Sequence, residues 1–138
     1  MTFRTLLIIK AAVCLVFGIL LLFAPVALIG VLGGELGGAG VFTAREYGAA
    51  LVGTLLLTWF AKGVTASDAK RAILLDLLIY DAIGVVVTLQ VVLSGVLSVL
   101  GWAIVAVYLF FAFGAGYVLF GQSRVEKGQA RVNSRGHS

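Results

Sequence analysis

Apolar residues run along the chain in four long blocks, parted by short polar or glycine-rich breaks. The first block, residues 5–31, is interrupted only by Lys10 and Pro25; the others cover about 43–63, 69–94 and 97–121. Each meets the roughly 20 residues that a helix needs to cross a bilayer. The pattern predicts an all-α integral membrane four-helix bundle, up-down-up-down, over residues 1–121. Pro25, which cannot donate a helical hydrogen bond, should kink or loosen the outer end of the first helix. The first block is too long for the apolar core of a signal peptide, and Pro25 follows Ala24 where a cleavage site would stand, so it is expected to be retained.

The breaks have their own chemistry. Residues 32–42 are dense in glycine, which disfavours helix, and should form a mobile loop with Glu35 exposed. Thr43-Ala44-Arg45-Glu46 fits a capping box that starts the second helix; the alternative is that Arg45 and Glu46 form a polar gate at the outer rim. Ala49 and Gly53, and later Ala112 and Gly116, are small-xxx-small pairs that let a neighbouring helix come close. Trp59, Phe60 and Lys62 suit an interfacial anchor, as do Trp102 at the outer and Tyr117 with Phe120 at the inner end of the fourth helix. Ser67 or Asp68 can cap the third helix, and a tight turn is expected near Ser94-Gly95.

Composition strengthens this picture: of 138 residues 62% are hydrophobic and 12% charged, against about 45–50% and about 25% in soluble domains. The net charge of +4 comes from residues at segment ends and in the tail, not from a basic stripe with interleaved aromatics, so nucleic acid is not an expected partner. With four spans, Arg4, Lys10, Lys62, Lys70, Arg71, Arg124, Lys127, Arg131 and Arg135 share one side, and Arg45 stands alone on the other. By the positive-inside rule both termini are cytoplasmic (N-in/C-in). Residues 122–138 are expected to be a disordered basic cytoplasmic tail drawn to anionic headgroups. Its His137 is the only histidine, and Cys14 is the only cysteine, read as a small packing residue.

Candidate chemistry concentrates in the third block, where Leu74 to Gly84 carries Asp76, Tyr80 and Asp81 inside an apolar run. A carboxylate costs roughly 2.5–3.5 kcal/mol at the centre of a bilayer on insertion scales, so both acids should turn away from hydrocarbon. At about 1.5 Å per residue, Asp76 lies about 7 Å in from Arg71 and Asp81 about 15 Å in. Lys10, about 7 Å in on the first helix by the same measure, is depth-matched to Asp76, and the two are expected to form an ion pair unless Lys10 snorkels to the interface. The acids stand roughly 140° apart on the helical wheel, so they should not share a proton. Asp76 falls on one face with Tyr80, Gln90 and Ser94, and Asp81 on the other side near Thr88. Tyr108 of the fourth helix reaches a similar depth and is placed to donate to Asp81. These groups serve as pins of helix register, as a proton or ligand site, or as an oligomer contact.

The run Ala44-Arg45-Glu46-Tyr47-Gly48-Ala49-Ala50-Leu51-Val52-Gly53, with Phe17-Gly18 and Phe23-Ala24-Pro25 before it, resembles small DoxX-like and related four-helix membrane proteins. The resemblance covers the first two helices and the four-span layout. It implies a bacterial inner-membrane protein, in some relatives an accessory subunit of quinone-linked oxidoreductases. It carries over no catalytic residue, and without cysteine pairs or a histidine in its helices this chain is not expected to do haem or thiol chemistry.

No catalytic, metal-ligand or cofactor-binding set stands out, and enzymatic activity is not expected. The leading expectation is an accessory or scaffold subunit, partnered by lipid and by another membrane protein or a second copy. The alternative is a small proton- or solute-coupled transporter with Asp81 as its protonatable group. Small multidrug transporters carry their acid in the first helix, where this chain has only Lys10.

Overall fold

The computed structural model describes residues 1–135, and their side chains as far as Gly121. Five helices and no strands are found among the described residues: α1 (Phe3–Phe23), α2 (Pro25–Val31), α3 (Gly38–Ala61), α4 (Ser67–Leu93) and α5 (Gly101–Arg135). α1, α4 and the Gly101–Gly121 part of α5 are each long and apolar enough to cross a membrane. α3 is not among them, since Arg45 and Glu46 lie about two turns inside it.

The boundaries depart from expectation where glycine and proline act. The block 5–31 is two helices, not one: Ala24 leaves helical geometry (φ −134°, ψ 49°) and Pro25 opens α2. Proline excludes the preceding residue from the helical region, yet its own fixed φ suits the first helical position. α3 begins at Gly38 with Gly37 as its N-cap, so the glycine-rich break is shorter than 32–42. The Thr43 capping box is therefore not used; the Thr43 hydroxyl donates to Ala39 O at 3.0 Å inside the helix. Extending a helix that already exists adds one hydrogen bond per residue, which outweighs the glycine penalty. α4 starts at Ser67 without a side-chain cap, Asp68 instead lying in its first turn, where a negative charge suits the helix dipole. The turn at Ser94-Gly95 forms as expected, with Gly95 at φ 76°. The backbone of α5 runs on as helix to Arg135, where a disordered tail had been expected from Gln122; continuing an existing helix through Gln, Glu, Lys, Ala and Arg is easy. His137 lies outside the described residues.

The long helices pair. α1 packs along α3 and α4 along α5, with a lesser contact between α1 and α5. The α1–α3 seam is set by Gly18 against Gly48: a Cβ on Gly48 would lie 2.8 Å from Leu22 N and 3.0 Å from Gly18 O. The expected partner in close packing, Gly53, faces open space, whereas Gly116 of the other expected seam is buried with Leu78 3.9 Å from its Cβ position.

The two pairs meet at one end through Phe3, Leu6, Leu7, Ala61, Leu74, Leu77, Phe111, Ala115 and Val118. At the other end α2 and the 94–100 connection close over them, joined by the Ser98 amide donating to Leu32 O at 2.7 Å. Gly33 holds φ 86° there, and a Cβ would lie 2.9 Å from that of Ser98. Gly33→Ala is expected to cost about 1–2 kcal/mol from the left-handed backbone alone and to open this clasp. Faster amide hydrogen exchange at Ser98, with exchange in the α1–α3 seam unchanged, is the check.

The outward faces are apolar: Phe23, Phe60, Val99, Phe113 and Tyr117 are all strongly exposed. So much exposed apolar surface on long apolar helices is what a chain immersed in lipid presents.

Candidate functional site

The inward face of α1 follows helical spacing, Phe3, Leu6, Leu7, Lys10, Ala11, Cys14, Gly18 and Leu21, and it carries a lysine into the interior. The inward face of α4 is Leu74, Leu77 and Asp81. Lys10 is 4% exposed and Asp81 fully buried, and the Lys10 ammonium donates to Asp81 Oδ1 as a buried ion pair. The expected Lys10–Asp76 pair is thus corrected. Asp76 stands two residues past Leu74, off the buried stripe, on an exposed face that also holds Gln90 and Ser94. Depth from the helix end had suggested Asp76; the direction of the side chain decides for Asp81.

Lys10 Nζ also lies 4.5 Å from the centre of the Phe111 ring and 5.2 Å from that of Tyr80. A cation is stabilised over the electron-rich face of such rings. Asp81 is less well served, for its Oδ2 is buried and has no hydrogen-bond partner among the described residues.

Beside the ion pair stands a cluster of phenols. The Tyr47 hydroxyl of α3 contacts that of Tyr80 on α4 and that of Tyr108 on α5, the latter at 2.7 Å. Tyr108 was expected to donate to Asp81; it is held by Tyr47 instead. Its ring fills the space left by Gly84, where a Cβ would come 2.5 Å from the ring edge. Two hydrogen bonds among three hydroxyls use two of the three protons, so one remains to donate elsewhere. Tyr47 was missed as a site residue. The available signal was a phenol inside an apolar helix, one position before Gly48 of the face that α3 buries, since a polar tip within an apolar run calls for a partner.

These polar contacts are the bridges between the two helix pairs. Lys10 and Tyr47 belong to α1 and α3, and Asp81, Tyr80 and Tyr108 to α4 and α5. Next to them the pairs stand apart around a cavity of about 420 Å³. All five polar residues line it, and the rest of the wall is apolar, including Phe17, Leu21, Leu28, Leu51, Ile104 and Phe111. From Lys10 to Leu21 the wall runs about 16 Å along α1, ending under α2. Cys14 is on the wall as well.

Arg45 and Glu46 are exposed and absent from the wall. The buried Thr58 hydroxyl is satisfied inside its own helix, donating to Thr54 O at 2.8 Å. Among the described residues no group of three His, Cys, Asp or Glu side chains could hold a metal ion.

The chain matches no family model, no curated protein and no solved structure.

Proposed function

We propose that this chain crosses the membrane four times, through α1, α3, α4 and α5, and binds a neutral apolar molecule between its two helix pairs. The observation that carries the binding role is the 420 Å³ cavity with apolar walls and five polar groups gathered at one end. That is the usual form of a small-molecule site, a greasy wall with a few groups to fix orientation. The fourth span is supported by the 24 residues of α3, about 36 Å of helix against a hydrocarbon core of about 30 Å. With Arg45 alone on the far side, both termini face the cytoplasm. Asp76, about 7 Å from Arg71, then sits within reach of the cytoplasmic headgroups.

Binding of this kind suits an accessory subunit of a bacterial inner-membrane complex, which presents or retains an apolar molecule for a partner. The likeness to DoxX-like proteins is in keeping with that role. A second reading, a proton- or solute-coupled transporter, is favoured by one observation: Lys10 and Asp81 both line the cavity, so an occupant and the ion pair act on each other.

The test is to purify the protein in mild detergent, extract it with organic solvent and weigh what is released. Wild type is expected to release about one equivalent of a small neutral molecule, and Ala103→Trp, at a further residue of the cavity wall, to release none while staying folded. Empty protein in both cases overturns the binding reading. The transporter reading requires in addition that Asp81→Asn abolish flux in vesicles without loss of fold.

A further inference from the structure

The polar end of the cavity restricts the head group of its occupant. Lys10 and Asp81 neutralise each other and the three tyrosines are phenols, so the wall has no net charge to offer. A charged head would enter a low-dielectric site without a counter-charge, which is costly. The head is therefore neutral. Asp81 Oδ2 has no partner among the described residues, and a carboxylate oxygen only accepts, so it calls for a donor. The tyrosine cluster has a proton to give and calls for an acceptor. A hydroxyl group is both at once, whereas a ketone, ester or ether can only accept and leaves Oδ2 unpaired. A cavity of about 420 Å³ is small among ligand pockets and suits one apolar chain.

Resting on the binding role above, we infer that the occupant is a single-chain apolar alcohol. Its hydroxyl donates to Asp81 Oδ2 and accepts from the Tyr47–Tyr80–Tyr108 cluster. Its chain lies along Phe17, Leu21 and Leu51 toward α2.

Occupancy is measured by the binding of tritiated 1-dodecanol to the protein in nanodiscs. The probes are 1-dodecanol, its methyl ether, dodecanoate and dodecane. Displacement of the tritiated alcohol from wild type by the ether, the carboxylate and the alkane ranks the four. The alcohol is expected to bind about tenfold better than the ether, the difference that a hydrogen bond to a charged group makes, and dodecanoate to bind no better than the ether. In Lys10→Met/Asp81→Leu, which removes both charges together, the preference of alcohol over ether should vanish. An ether or alkane equal to the alcohol on wild type overturns the inference and leaves the binding role standing. Failure of all four to bind overturns both.

Discussion

Asp81→Leu alone is expected to destabilise the folded protein by about 3–5 kcal/mol, the cost of leaving a buried charge without its partner. Lys10 is 4% exposed and Asp81 fully buried, so neither has water to fall back on. Lys10→Met alone should do the same, because it strands the carboxylate. The double variant Lys10→Met/Asp81→Leu should recover most of the loss, since matched apolar groups replace a buried ion pair at little or no cost. Asp76→Leu, at an exposed position that joins no ion pair among the described residues, should stay within about 0.5 kcal/mol of wild type. Titration from mild detergent into sodium dodecyl sulfate, followed by tryptophan fluorescence, measures all four. If the double variant were as weak as the singles, the lysine and the aspartate would be stabilised by separate neighbours and the pairing would be refuted.

The second large effect is expected at Gly48. An added Cβ meets Leu22 N at 2.8 Å, Gly18 O at 3.0 Å and Leu21 C at 3.1 Å, all backbone atoms. Backbone cannot rotate aside, so Gly48→Ala has to push α1 and α3 apart along their length. Overpacking of this sort costs about 1–3 kcal/mol, and the upper end applies where no flexible side chain can yield. Within a bilayer the loss is harder to recover, because lipid gives helices no hydrophobic reason to stay together beyond their fit. At Gly84 the obstacle is instead the Tyr108 ring, which can swing away at the expense of its hydrogen bond to Tyr47. Gly84→Ala should therefore lose less stability than Gly48→Ala but weaken alcohol binding. Gly53→Ala, with open space around it, should be neutral. The same detergent titration ranks the three, and a neutral Gly48→Ala would mean that α1 and α3 do not approach this closely.

Residue by residue, the candidate site was half visible beforehand. Lys10, Tyr80, Asp81 and Tyr108 could be singled out because polar groups inside long apolar runs are rare and costly. Their partners could not. Lys10 was matched to Asp76 by depth along the helix, yet five residues further on Asp81 lies on the stripe with Leu74 and Leu77, and the lysine goes there. Tyr47 stood out only as a member of the run Ala44–Gly53 that carries the family resemblance, and it is the hub of the phenol cluster. Arg45 and Glu46, for all their conspicuous charge, stay outside the site.

From the linear pattern alone follow the helical content, the long apolar segments, the turn at Ser94-Gly95 and the break near Pro25, because these depend on side-chain polarity and on the local geometry of glycine and proline. Pairing is another matter. Which acid meets Lys10, which phenols meet each other, and that a cavity stands between the two helix pairs depend on the rotation of each helix about its axis. That rotation is settled by contacts between residues far apart in sequence, such as Gly18 on Gly48 and Tyr108 on Gly84, and only the folded chain brings them together.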